Sequence, residues 1–515
     1  MARVWLEGLG GGQPEIALVY PGPKRIGVDN LGLHAVFRGL NRLSFTDIFF
    51  TDTPRGIRSG KPLYEFPFIF FTFPYEPEYL SALRFLKYEG IELDRRRRAL
   101  HSLIAGGIAP SANPFPLWHT FDAVLLGESE AIIPFLEIEI YRSKEGFLSA
   151  ISDKPWAWIP GQKEEGERAR LSDITRTDAY SAFIERDSFF RGEFLIEVSR
   201  GCPNRCRFCL LGFSNLPPRF LPGDIVLDIL GQLPVGLTKQ VGLVGSAVAE
   251  HPRVREIFEK APPHLLLNPS SVNISSLDPE LLRLMARRGA KTLTLAPEVA
   301  SDSLRCSINK PFENERVIDV VNWARDAGFC SLKLYYMIGL PGETDDDVQA
   351  ISSQVKEIKR IFKKRVRVTV SPFVPKAQTP LYRAPFMSEA DYKRKVSALR
   401  SPKDVLFKLH GYRKSREEAI LSRGDEMVSL ALLLAAEEGL GFSSALRKVG
   451  AIPSLYLDDP AYPLSAPFLR IDTGVSRDYL DEEWERCRGG EPSPPCHPGC
   501  GECGACGEGA HDPPR

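Results

Sequence analysis

Residues 194–209 read Phe-Leu-Ile-Glu-Val-Ser-Arg-Gly-Cys-Pro-Asn-Arg-Cys-Arg-Phe-Cys. An apolar, strand-forming run therefore leads directly into a loop whose Cys202, Cys206 and Cys209 follow a C-x3-C-x2-C spacing. In open parallel α/β sheets and (β/α) barrels, ligands gather at the carboxyl ends of strands, so this order predicts a parallel α/β fold with the loop at its working edge. Three thiolates are one fewer than the four that normally hold a 4Fe–4S cluster. An iron without a protein ligand is an open coordination position, where metals do chemistry rather than only hold a fold. Zinc completed by a distant fourth residue, or reduced structural thiols, are the competing readings. Structural zinc favours paired C-x2-C knuckles, which this loop lacks.

The alternation of strands and helices extends on both sides of the loop. From 193 to about 373, strands are expected at 194–198, 240–244, 265–272, 291–295, 330–337 and 366–371. Helices are expected at 222–233, 253–260, 278–288, 313–327 and 345–362. Six such units make a partial (β/α)6, TIM-like barrel. Thr344 followed by Asp345, Asp346 and Asp347 reads as a helix N-cap with an acidic first turn, not as metal ligands. Upstream, strands at 16–20, 45–50, 66–73, 102–105 and 123–126 alternate with helices at 32–41, 78–89 and 130–141, a flavodoxin-like open sheet. The resulting organisation is α/β, with an amino-terminal domain over 1–149, a polar linker over 150–190, the barrel over 191–375, a helical region over 376–485 and a Cys-rich tail over 486–515.

Composition narrows the function classes. Lys plus Arg and Asp plus Glu both number 66, so no global basic field points to nucleic acid, although local patches remain open. The opening residues lack a basic region followed by an apolar stretch, and the apolar run 430–436 is too short to span a bilayer, so a cytoplasmic protein is expected. Seven of the ten cysteines fall into two tight groups, which suits metal ligation better than a disulfide framework. Cys306 and Cys330 are expected to be ordinary core thiols, and the Arg95–Arg98 run a solvated face.

The C-x3-C-x2-C loop, with Phe208 before its last cysteine, resembles the radical S-adenosylmethionine superfamily. Within it the chain looks closest to the branch of methylthiotransferases and oxygen-independent coproporphyrinogen oxidases. The stretches Ala105-Gly106-Gly107 and 121–128 resemble the cobalamin-binding-type domain that precedes many radical enzymes. No D-x-H-x-x-G motif supplies a lower axial histidine, and His34, His101 and His119 stand in no such context. A degenerate domain that does not bind cobalamin is therefore expected.

The resemblance implies a 4Fe–4S cluster on Cys202, Cys206 and Cys209, with S-adenosylmethionine on the open iron. It implies cofactor contacts at Phe208; at Gly245 and Ser246, where Gly-Ser-Ala replaces the usual Gly-Gly-Glu; and at Ser271 and Asn273 for ribose or carboxylate. It further implies Glu298 for the ribose hydroxyls, Arg305 for the cofactor carboxylate, and Met337, Gly339 and Val374 around adenine. Reductive cleavage of the cofactor would give a 5′-deoxyadenosyl radical that abstracts hydrogen from a substrate the sequence does not identify: RNA, protein or metabolite. A flavodoxin- or ferredoxin-type electron donor is implied as partner. A cobalamin-assisted methyltransferase and a non-catalytic iron–sulfur scaffold are the alternatives. In the tail, Cys496, Cys500, Cys503 and Cys506 form C-x3-C-x2-C-x2-C among glycines, a candidate second centre for zinc or a second iron–sulfur cluster, with Cys487 and His497 as spare ligands. The charged stretch 411–425 is expected to be a salt-bridged helix.

Overall fold

The computed structural model describes residues 3–6, 15–137, 143–497 and 499–506. The chain divides into two compact units. One comprises Met1–Leu195, Ile420–Tyr456 and Ala461–Gly474; the other comprises Ile196–Ala419, Leu457–Pro460 and Val475–Arg515.

The first unit is built on a six-stranded sheet. Its strands are β1 (Ile16–Tyr20), β2 (Thr46–Phe50), β3 (Phe68–Thr72), β4 (Ser102–Gly106), β5 (Ala123–Leu125) and β6 (Ala157–Trp158). They lie in the order β2-β1-β3-β4-β5-β6, parallel except for the antiparallel β6. Every residue of β1, β2 and β3 is buried, as expected of parallel strands covered on both faces. The buried Asp47 inside β2 is reconciled with that core by backbone N–H donors from Arg58 (2.9 Å) and Ser59 (2.8 Å).

Three expectations are corrected here. Residues 150–190 are not a linker, because β6 completes the sheet and Ala169 bridges Gly127. Their polar, proline-broken sequence is that of a loop folded onto a sheet end. The helix expected at 130–141 is a single turn, Ser129–Ile132, tightened into a 3-10 turn where Pro134 removes a donor; residues 138–142 lie outside the described ones. The region 376–485 is no independent helical domain, since 420–456 and 461–474 return to the first unit. There the Asn113 side chain donates to the carbonyls of Ser422 (3.1 Å) and Gly424 (2.8 Å). The Arg95–Arg98 run divides: Arg98 is buried against Asp122 at 2.7 Å, whereas Arg96 and Arg97 are exposed, as expected of a solvated face, and pair with Asp94 and Glu92. No single described helix is long and apolar enough to cross a membrane; Glu426–Glu438 and Phe442–Lys448 pass that test only together, across a 115° bend.

The second unit contains β7 (Phe194–Arg200), β8 (Arg219–Phe220), β9 (Gln240–Gly245), β10 (Leu266–Pro269), β11 (Thr292–Glu298), β12 (Ser331–Ile338), β13 (Arg365–Pro372) and β14 (Leu406–Leu409). They form two four-stranded sheets, β8-β7-β9-β10 and β11-β12-β13-β14, joined by a parallel bridge between Val272 and Leu295. The second sheet is wholly parallel. Strand β14 extends it beyond the six expected strands; its Leu-Phe-Lys-Leu is largely exposed and carries no buried-strand pattern. Thr344 caps Asp345–Phe362 in a reciprocal box with Asp347, which confirms that those aspartates serve the helix end.

Candidate active site

At the carboxyl end of β7, Gly201 adopts φ +80°, and a Cβ there would stand 2.3 Å from the Asn215 carbonyl oxygen. This close approach requires glycine and aims the chain into the cysteine loop. The Cys209 amide donates to the Cys206 carbonyl at 2.9 Å, and the Cys209 Sγ accepts from the Gly212 amide at 3.4 Å. The Asn204 side chain donates to Cys202 Sγ (3.4 Å) and to Glu250 Oε1 (2.9 Å). Two arginines fasten the loop from within. The Arg207 guanidinium, fully buried, bonds Glu483 (2.9 Å), the Ser307 carbonyl (2.7 Å) and Ser493 Oγ (2.9 Å). Arg205, equally buried, pairs with Glu502 at 3.1 Å and donates to the Pro494 carbonyl. Asn309 clips the loop by donating to the carbonyls of Asn204 and Arg205, both at 3.2 Å.

Burial pushes all three thiols above their ordinary value, Cys202 to about 11, and their mutual proximity adds to the shift at Cys202 and Cys206. Metal binding to three such neighbouring, half-buried thiols would displace their protons. Among the described residues, no three Cys, His, Asp or Glu side chains converge closely enough for a single ion. Three neighbouring thiols are a donor set one short of the four that close an iron–sulfur cluster.

The remaining predicted residues sort into three sets. Glu298, at the end of β11, adopts φ +66° and pairs with Lys310 at 2.9 Å, and both lie beside Cys206 and Cys209. Phe208 and Met337 pack together on a core of Val299, Leu304, Leu340 and Phe373. Gly245 ends β9 so close to β7 that a Cβ would meet Ser199 Oγ at 2.1 Å and its carbonyl at 2.8 Å; Ser246 follows, half-buried. Gly339, at φ +89°, donates its amide to Glu343 at 2.8 Å, and Glu343 is held by Lys395. Val374 follows β13, half-buried. Ser271 is exposed, and Asn273 Oδ1 caps its own turn, accepting from the amide and hydroxyl of Ser275.

Arg305 is a correction. Its guanidinium is fully buried and bonds Asp302 (2.5 Å), the carbonyls of Phe312 (2.8 Å) and Val299 (2.7 Å), and Asn314 (2.7 Å). It ties the turn after β11 together and is not available to a cofactor carboxylate. Cys330 is likewise exposed rather than a core thiol, whereas Cys487 lies in the apolar core and not with the tail cysteines.

Sequence reasoning missed Lys310 and Asn309. Although burial alone would lower the Lys310 ammonium, Glu298 and Cys206 hold it above its ordinary range. Asn309 sits at φ +54° just before Lys310-Pro311, and an Asn-x-Pro turn was the only available signal. Together with Asn204, Asn273 and Phe312 they line a cavity of 110 Å³ beside the loop.

Residues 196–355 match the model of the Radical SAM superfamily, and residues 53–160 match that for the N-terminal part of radical SAM proteins. The chain is a radical SAM protein. As such it is an enzyme that uses a 4Fe–4S cluster and S-adenosylmethionine. An uncharacterized protein of Methanocaldococcus jannaschii is 27% identical over 430 residues, 80% of this chain and 89% of that protein. A tRNA-2-methylthio-N(6)-dimethylallyladenosine synthase of Chloroherpeton thalassium is 23% identical over 226 residues, 42% of this radical SAM chain and 50% of that enzyme. The match therefore spans half the length of the synthase. Among solved structures, the cobalamin-dependent radical enzyme OxsB is 13% identical, covering 92% of this chain and 84% of that one, with a TM-score of 0.48. The methyltransferase TsrM of Kitasatospora setae is also 13% identical, covering 70% and 73%, with a TM-score of 0.49.

Proposed function

We propose that Cys202, Cys206 and Cys209 ligate three irons of the cluster and leave the fourth to the amino and carboxylate groups of S-adenosylmethionine, so that the enzyme abstracts hydrogen from a substrate within RNA, a protein or a metabolite. The observation that carries this reading is the half-buried three-thiol loop at the carboxyl end of β7, fastened from within by Arg207 and Asn309. The two sheets of the second unit, continuous through Val272 and Leu295, read together as a partial (β/α)6 barrel extended by β14. When bound, cluster and cofactor supply one-electron reductive cleavage to a 5′-deoxyadenosyl radical.

The chain's own residues bind, orient and exclude water. Gly245 lets the backbone after β9 approach the methionine portion without side-chain obstruction, with Ser246 beside it. Glu298, its charge balanced by Lys310, accepts from ribose hydroxyls, and Phe208 and Met337 close the apolar side. Gly339 and Val374 flank adenine, and Ser271 and Asn273 complete the polar rim. The order β2-β1-β3-β4-β5 of the first unit is that of flavodoxin-like sheets, which supports a cobalamin-binding-type fold; reading it as a degenerate domain that does without cobalamin rests on the missing D-x-H-x-x-G motif. His34 commits both ring nitrogens internally, to the Val28 carbonyl (3.0 Å) and the Ala182 amide (3.1 Å). A flavodoxin- or ferredoxin-type donor in the cytoplasm would supply the electron.

The test is anaerobic reconstitution with dithionite and S-adenosylmethionine. Wild type should release 5′-deoxyadenosine, and C202A, C206A or C209A should reduce release to background while retaining the circular-dichroism spectrum. Undiminished release in the triple variant would defeat the assignment. An intact cluster with no release from wild type would instead favour a scaffold.

A further inference from the structure

We propose that Cys496, Cys500, Cys503 and Cys506 hold a second 4Fe–4S cluster, closed by four thiolates and seated against the loop that carries Cys202, Cys206 and Cys209. This goes beyond the proposed activity and concerns a separate set of ligands. The tail has little apolar material to fold around, yet Cys500 and Cys503 are only 5% and 2% exposed. A glycine-rich segment cannot offset its ordering entropy with so little buried surface, whereas metal binding converts directly into folding free energy.

The backbone is already wrapped for such a centre. Gly499 and Gly504 take φ of +82° and +81°, reversing the chain between successive ligands. The Cys503 carbonyl accepts from the Ser476 amide at 2.8 Å, and the Ser493 amide donates to Asn309 Oδ1 at 2.8 Å. The Cys496 amide donates to the carbonyl of Pro203, the residue next to Cys202, at 2.7 Å. The tail is thereby docked on the very loop that carries the first site.

Spacing selects the kind of metal. Structural zinc favours paired C-x2-C knuckles separated by a longer loop, whereas these four cysteines run C-x3-C-x2-C-x2-C within eleven residues, a single short run of the kind that holds a four-iron cluster. Arg205 adds the electrostatics of the site. Its side chain is wholly buried, its Nε has no hydrogen-bond partner, and its ion-pair partner Glu502 is half exposed. A buried guanidinium is costly without full compensation. It lies within electrostatic reach of Cys500, so an anionic four-thiolate centre supplies the missing counter-charge. With no open iron, this centre would bind no cofactor, which leaves electron transfer or structural support as its chemistry.

The experiment counts metals in the anaerobically reconstituted full-length protein, with Mössbauer spectra to define cluster type. Wild type should contain about eight iron and eight sulfide per chain, four at each site. The C202A/C206A/C209A variant and the C500S/C503S variant should each retain about four. About four iron in wild type that is lost in C202A/C206A/C209A and kept in C500S/C503S overturns the proposal, whether or not zinc accompanies it. Failure of the barrel assignment looks different: iron would then be unchanged in the C202A/C206A/C209A variant but lost in C500S/C503S.

Discussion

In the first unit β4 and β5 run into Gly107 and Gly127, whereas in the second β7 and β11 run into Gly201 and Glu298. All four residues have positive φ, and all stand where parallel sheets place their ligands. The outcomes diverge. A Cβ on Gly107 would lie 2.5 Å from the Phe73 carbonyl oxygen, and one on Gly127 would lie 2.2 Å from that of Ala169. The first unit therefore uses its close approach to admit its own chain, and residues 166–171 fill the sheet end: the Glu128 amide donates to Ala169, and the Glu128 carboxylate accepts from the Leu171 amide. The second unit uses its turn at Gly201 to launch three cysteines and keeps a Lys–Glu pair beside them. One architecture thus gives a sealed edge and an open one, and what differs is whether the chain's own backbone occupies the crevice.

The largest way to break this contrast is at Lys310. K310M leaves Glu298 nearly buried without its partner, which should cost roughly 3–5 kcal/mol. Release of 5′-deoxyadenosine should fall to background. The double variant E298Q/K310M removes both charges and should recover most of the stability but not cofactor binding, measured by denaturant titration and equilibrium dialysis. Recovery of both would make the pair merely structural. Next in size is G127A. Strain at φ +121° together with the clash at Ala169 should cost roughly 3–5 kcal/mol, read as a lowered Tm of the first unit. Cofactor cleavage per folded molecule should be unchanged. A Tm within experimental error of wild type would mean the edge is not sealed.

Much of this was legible in the sequence because period and spacing are local. Strands β1–β5, β7 and β9–β13, the Thr344 cap and the cysteine loop followed from apolar runs, turn residues and ligand spacing. What stayed hidden depends on partners far along the chain. Nothing in 150–190 announces that Trp158 pairs with Val124, because a short edge strand lacks a period. Arg305 looked available to a carboxylate because its four acceptors lie on a turn whose closure is tertiary. Lys310 was passed over because its meaning comes from Glu298, twelve residues away, and from a loop more than a hundred residues earlier. The tail's docking on Pro203 was likewise beyond any local pattern.

The smallest effect contrasts the two interiors. Both units bury arginines, which keep their charge at every accessible pH. Both also bury a histidine, a ring that can change charge near neutrality: His251 in the second unit and, wholly enclosed, His34 in the first. Burial, with a smaller contribution from Arg38 and opposed by the Val28 hydrogen bond, lowers the His34 pKa from 6.5 to about 4. The folded state therefore holds the ring neutral while the unfolded chain takes up a proton first. Stability from this group is complete above pH 6.5 and is lost as pH falls towards 4, with a full span of about 3 kcal/mol. Denaturant titrations across that window should show the slope in wild type and lose it in H34Q, whose amide preserves one donor and one acceptor. A wild-type profile as flat as that of H34Q would mean that the ring is already charged in the folded protein. The Ala182 amide could then no longer donate to its Nδ1, and the sealed interior of the first unit would have to be redrawn around it.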